Sequence, residues 1–279
     1  MSSSASDSIW YVYGIVPSSA STGASLPPES AGLDDAPVAL EAEGDVAALV
    51  SVLRGPDYAP NAIEASSGDV EWLGPRAVAH DRVLTWASDH GPVVPMPMFS
   101  LFSGRDAVHA MLAERAAELR EALTRVAGGR EYALRVFRVD AEMLAAVATL
   151  SPRLRELAAS AAAAAPGQRY LLERKLDGER RTEMRSVTRE LADAIADELS
   201  KHSLASVRLP IPRTDSGDGA SRGTMVLNAA FLVAPGALAD FQKTLTGLAE
   251  RHEANGLRFD FTGPWPPYHF VGGRSGNDR

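Results

Sequence analysis

The sequence predicts an α+β protein of two domains, and three observations predict it. Short runs of β-branched and aromatic residues alternate with stretches whose apolar residues recur every three or four positions, so strands and amphipathic helices are mixed along the chain. At 279 residues the chain is long enough for two domains of about 100–200 residues each. Near the middle, Gly128-Gly129 stops one helical pattern and a fresh strand signal follows. The expected division is a disordered amino terminus over residues 1–7 and a mixed α+β domain over residues 8–130. A second domain over residues 131–271 and a flexible tail over residues 272–279 complete it.

In the first half, Ile9-Trp-Tyr-Val-Tyr13 reads as a strand. Residues 14–37, rich in Ser, Gly and Pro, read as a loop. Residues 38–40 and 46–53 read as strands, with Gly44-Asp45 as the turn of a hairpin. Residues 55–68 read as irregular. Ser66 with Asp69 is a capping-box pattern opening a helix whose apolar row is Leu73, Ala77, His80, Leu84 and Ala87, stopped by Gly91-Pro92. Residues 93–101 read as a buried strand. Pro95 and Pro97 cannot donate to a ladder, which confines that strand to an edge, a bulge, or part of its length. Ser103 with Asp106 opens one more helix, with Val108, Leu112, Ala116, Leu119, Leu123 and Val126 on one face.

The second half opens with a strand over residues 132–139 and helices over 141–150 and 152–165. A long charged helix comes next over 170–202, with Met184, Val187, Leu191, Ile195 and Leu199 as its stripe. Residues 206–211 read as a strand, residues 212–223 as a loop, and residues 225–234 as an apolar strand. A helix opened by Pro235 carries Leu238, Phe241, Leu245, Leu248 and His252 on one face, and residues 257–262 form a last strand. That is the βαββαβ order of a ferredoxin-like domain with an enlarged first helical connection.

Composition narrows the function classes. With no cysteine, disulfides and cysteine-ligated metals are excluded, and a reducing cytoplasm suits the chain. No secretory signal and no apolar run of about 18 residues is present, so no membrane partner is expected. Residues 1–130 hold 8 basic and 17 acidic side chains, a balance of −9, and residues 131–279 hold 20 and 19, a balance of +1. An acidic half and a neutral half do not suit a nucleic-acid binder, which neutralises phosphates.

Catalytic signatures are missing. The six histidines (His80, His90, His109, His202, His252 and His269) lie in no metal-ligand spacing. His80 and His252 each complete an apolar helical row and read as packed histidines. There is no G-x-S-x-G elbow, no P-loop and no dinucleotide-binding glycine pattern. Asp34-Asp35 reads as a solvated pair, and Asp215 and Asp218 would repel a phosphate from the glycines near them. No catalytic residue, metal or cofactor is expected. The alternatives are a small-molecule enzyme on an α+β scaffold, recognisable by a polar cleft around His80 or His269, or an RNA-binding module. The latter needs exposed strand aromatics, and only Phe137 and Phe231 are candidates.

Two segments differ from ordinary core sequence. In Thr262-Gly-Pro-Trp-Pro-Pro-Tyr-His-Phe-Val271, three prolines stiffen the backbone that carries Trp265, Tyr268 and Phe270. In Val93-Val-Pro-Met-Pro-Met-Phe-Ser-Leu-Phe102, Met96, Met98 and Phe99 suit either core or an adaptable surface. These six are the candidate partner-binding residues, because stiff aromatic anchors bind at low entropic cost.

The same segments carry a resemblance. Trp10-Tyr-Val-Tyr-Gly-Ile-Val16, Glu71-Trp72, Ala79-His80-Asp81 before Val93-Val-Pro95, Tyr170-Leu-Leu-Glu-Arg-Lys175, Asn228-Ala-Ala-Phe-Leu-Val233 and above all Thr262-Gly-Pro-Trp-Pro-Pro-Tyr268 resemble the GvpL/GvpF gas vesicle proteins. The match runs in order along nearly the whole chain. It departs from the family at Met96-Pro-Met-Phe-Ser100, where an Arg-Phe-Gly-like stretch is more usual. The resemblance implies a two-domain α+β fold and a non-enzymatic role in gas vesicle formation. It also implies a cytoplasmic place associated with gas vesicles, and binding to the shell protein GvpA and to other accessory proteins.

Overall fold

The computed structural model describes residues 8–19, 32–54, 56–212 and 223–272. The expectations for residues 1–7, for Asp215, Asp218 and their loop, and for all but the first residue of the 272–279 tail lie outside them. The chain forms two compact units, residues 1–131 with 264–279, and residues 132–263. The boundaries fall inside two strands, β6 (Arg130–Arg138) and β9 (Leu257–Trp265). Residues 264–271 thus belong to the first unit, although chain order places them with the second.

The first unit is built on β1 (Ser8–Pro17), which pairs antiparallel with β3 (Val46–Arg54). Gly44-Asp45 turns β3 back onto β2 (Ala39–Glu43) as the hairpin expected. The sheet order is β2-β3-β1-β4, and β5 (Leu101–Phe102) shares the free edge of β1 with β4 (Val94–Pro95). Both faces are covered. α2 (Val70–His90) packs Val83, Leu84 and Ala87 against Tyr11, Tyr13, Leu33 and Leu49. On the other face α3 (Arg105–Glu114) and α4 (Ala116–Val126) pack Val108, Leu112, Leu119 and Leu123 against Val12, Ile15, Ala48 and Val50. A bulge between Val12 and Gly14 flips the alternation of β1, so Ile15 continues the face of Val12 and Val16 that of Tyr13. Gly14 is required there, because a Cβ would sit 2.8 Å from Leu84 Cδ2 and 3.0 Å from the Val94 carbonyl oxygen.

Three local expectations change. Residues 55–68 include α1 (Pro60–Ser66), begun by a proline at its first turn. The cap of α2 is Asp69, whose Oδ1 accepts from the Glu71 and Trp72 amides, while Ser66 ends α1. The helix expected across residues 106–126 breaks at Arg115, which leaves helical geometry at φ −100, ψ 10 and forms an ion pair with Glu118.

In the second unit β6 leads to α5 (Asp140–Leu150), α6 (Pro152–Ala163) and the 35-residue α7 (Pro166–Ser200). Then come β7 (Ala205–Arg208), β8 (Thr224–Val233), α8 (Leu238–Glu253) and β9. The sheet order is β7-β8-β6-β9. Its core gathers Leu134, Val136, Phe231, Val233, Met143, Ile195, Leu199 and Phe241, and each large apolar side chain buried there stabilises by about 1.5–3 kcal/mol. Gly256 turns the chain into β9 at φ 84, with its carbonyl accepting from Val139 N at 2.8 Å. Phe137 and Phe231 are buried, 7% and 0% exposed, so neither offers a face for stacking a base.

Candidate partner-binding surface

The carboxyl-end strap is built by its prolines and pinned by two charged side chains of its own unit. After β9 the chain turns tightly, with Tyr268 N donating to the Pro266 carbonyl at 2.8 Å and Phe270 N to that of Pro267 at 3.2 Å. Pro266 and Pro267 are buried, and Phe270 is sunk to 6% exposure. Arg125 of α4 donates from Nε to the Phe270 carbonyl at 3.0 Å. Glu131, only 2% exposed, accepts from His269 N at 3.0 Å, and its other oxygen lies 2.6 Å from His269 Nδ1. Burial pushes the Glu131 carboxyl above the usual range, partly countered by the His269 contacts.

Pinning one side of the strap turns the other outward. Trp265 and Tyr268 remain 44% and 42% exposed. The Tyr268 hydroxyl is pushed up to about 12 by burial, with nearby Asp81 and Glu131 adding to it. Of the three strap residues named from sequence, the structure therefore presents two on the surface and uses the third as the anchor.

The second segment is less exposed. Met96 N donates to the Tyr13 carbonyl and Val12 N to that of Ser100, both at 2.9 Å, so residues 96–100 loop out between two short pairings with β1. The prolines explain the interruption, since neither has an amide to give. Phe99 sits in left-handed backbone at φ 63. Its ring stacks on Trp72 at 5.5 Å and meets Tyr11 edge-on at 6.4 Å. Met96 packs against the α3–α4 core, and Met98 is half-buried. Met96 and Phe99 are chiefly packing residues. The two segments are near one another, since Phe99 N donates to Tyr11 Oη at 3.3 Å and Tyr268 contributes to raising the Tyr11 hydroxyl.

Beneath them lies a buried polar network that sequence reading missed. Tyr11 Oη is 2.6 Å from His80 Nδ1. Tyr13 Oη donates to Ser51 Oγ at 2.9 Å and accepts from Leu33 N at 2.8 Å, and Ser51 donates on to the Pro37 carbonyl. Tyr58 donates to Asp34, and Arg76 bonds both, at 3.1 and 3.0 Å, while lying over the Trp72 ring at 4.3 Å. Asp34 is thus an ion-pair partner, where the sequence suggested a solvated side chain. The visible signal was the tyrosine alternation of β1 facing a histidine on the apolar row of α2. Burial raises the Tyr11 and Tyr13 hydroxyls and lowers His80 to about 4. With Tyr11 and Tyr13 at 0%, Ser51 at 1% and His80 at 4% exposure, the cluster is closed to substrate and reads as a lock between sheet, α2 and the 32–38 segment. Among the described residues no group of three His, Asp or Glu could hold a metal ion, and no helix is long and apolar enough to cross a membrane.

Comparison with known proteins places this architecture. The sequence model of a family described as "Gas vesicle synthesis protein GvpL/GvpF" matches residues 9–272. Gas vesicle protein L1 of Halobacterium salinarum is 29% identical over 268 residues, covering 94% of this chain and 89% of the relative. Gas vesicle protein F of a Streptomyces species is 31% identical over 263 residues, covering 94% and 98%. Two crystal structures share the fold. One is gas vesicle protein GvpF from Anabaena, with a TM-score of 0.66 at 20% identity and coverage of 95% and 98%. The other is GvpF from Microcystis aeruginosa, with a TM-score of 0.62 at 17% identity and coverage of 95% and 99%.

Proposed function

The chain belongs to the gas vesicle synthesis GvpL/GvpF family, and from that premise we propose that it is a non-enzymatic accessory protein that binds the shell protein GvpA and supports gas vesicle assembly. The carrying observation is the strap, whose Trp265 and Tyr268 stand outward on a backbone held by Glu131, Arg125 and the buried Phe270. A subunit that builds a gas-tight wall must expose apolar surface before assembly, and such surface aggregates unless covered. Stiff aromatics on an acidic unit suit that task, because little conformational entropy is lost on binding. On this reading the protein works in the cytoplasm, associated with gas vesicles, alongside other accessory proteins. The second unit is read as ferredoxin-like, supported by its sheet order β7-β8-β6-β9. The closed state of the His80 cluster gives the enzyme alternative no support.

Co-expression of this chain with GvpA, followed by affinity capture, tests the proposal. Retention of GvpA supports it. Loss of GvpA under conditions that retain a known interacting pair overturns it.

A further inference from the structure

The second unit carries an open groove lined by its own residues, and a role for that groove is independent of the strap and of the GvpA reading. It lies between α7 and α8, holds about 640 Å³, and has as its apolar lining the partly exposed Leu191 above the buried core residues Ile195 and Leu248. Gly247 of α8 and Ala194 of α7 also line it. Glycine is a poor helix-interior residue and is kept where conformation or packing demands it. Neither does here: an added Cβ would meet no heavy atom within 4 Å, and the backbone is not left-handed. The missing side chain instead leaves the groove unfilled.

One helical turn to either side of Gly247 stand Lys243 and Arg251, both exposed, about 12 Å apart along the axis. Neither forms an ion pair among the described residues. The groove also holds two carboxylates. Glu198 is held by Lys201 at 2.5 Å, with the Arg251 charge also helping to keep its carboxyl below the usual range, and Asp240 sits in the first turn of α8, where its charge complements the helix dipole. The remaining polar rim is His202 Nε2 at 3.3 Å from Thr244 Oγ1, and His252, whose buried Nδ1 has no partner. The partly exposed Leu191 and two exposed cations two turns apart, neither in a close ion pair among the described residues, match a helix with an apolar face and carboxylates at the same spacing. A second copy of this chain does not match. Pairing α8 with another α8 about Gly247 sets Lys243 against Arg251 of the second copy when antiparallel, and each cation against itself when parallel.

We propose that the α7–α8 groove docks an acidic α-helix of a partner protein, with Lys243 and Arg251 astride the Gly247 floor. The probe is a fluorescein-labelled Ala/Leu peptide of about 20 residues, long enough to be helical, bearing glutamates two turns apart; its twin carries lysines there. Anisotropy with the full chain is expected to show binding of the glutamate peptide that weakens with salt. Lys243→Glu with Arg251→Glu should lose at least about tenfold and prefer the lysine peptide. Gly247→Trp should block both peptides at an unchanged unfolding temperature. No binding of the glutamate peptide, equal binding of the twins, or unaltered affinity in Gly247→Trp overturns the proposal. Should the tryptophan variant unfold, the charge reversal at two exposed positions decides it.

Discussion

Acidification offers a quantitative test of the His80 lock. His80 is 4% exposed, stacks beside Tyr13 at 5.8 Å, and meets Tyr11 Oη at 2.6 Å. Its pKa falls from 6.5 to about 4, chiefly through burial. A base whose folded pKa is depressed binds its proton more readily in the unfolded chain. Its stabilising effect is therefore complete above pH 6.5 and is lost as pH falls toward 4. At pH 4.5 the two constants give a loss of about 2–3 kcal/mol relative to pH 7. For a unit of this size that lowers the unfolding midpoint by about 5–10 °C. Tyr11 and Tyr13 add nothing in this range, because burial raises both hydroxyls. The assay is thermal unfolding at pH 7 and 4.5 for the wild type and for His80→Gln, whose amide oxygen can still serve Tyr11. The variant should be less stable at pH 7 but lack this part of the acid shift. Parallel pH profiles for the two proteins would refute the reasoning.

The same geometry yields further expected outcomes. Glu131→Ala removes the acceptor of the His269 amide, so hydrogen exchange at His269 and Phe270 should quicken at least about tenfold, while amides of β8 in the second unit stay protected. Phe270→Ala should cost about 3–5 kcal/mol as a buried aromatic truncation, whereas Trp265→Ala, nearly half exposed, should move stability by under about 1 kcal/mol. Gly247→Ala should stabilise by about 0.5–1 kcal/mol, since its Cβ meets nothing. Gly256→Ala should destabilise by more than about 1–2 kcal/mol, with φ 84 and a Cβ only 2.8 Å from Met143 N. Chemical unfolding of the pair reads both signs at once.

Periodicity made the helices legible wherever one face meets a core. The stripe Met184, Val187, Ile195 and Leu199 is buried as the 3.6-residue pattern requires, and the Gly44-Asp45 hairpin comes from turn chemistry alone. What periodicity cannot see is a one-residue break that keeps the stripe in phase, as at Arg115. Nor does it see long-range polar partners. The links between Asp34 and Arg76, Tyr11 and His80, and Glu131 and His269 span 42, 69 and 138 positions. The unusual composition of residues 93–102 and 262–271 set two segments apart from ordinary core sequence. It could not sort their side chains, because a proline-rich aromatic run looks the same whether a ring faces in, like Phe270 and Phe99, or out, like Trp265 and Tyr268.

The strap's role is measured most directly by titrating GvpA against the wild type and against a Trp265→Ala, Tyr268→Ala variant of matched thermal stability. Binding by the wild type with at least about a tenfold loss in the variant is the expected result. Equal affinity for the two, or no affinity in the wild type, would contradict it.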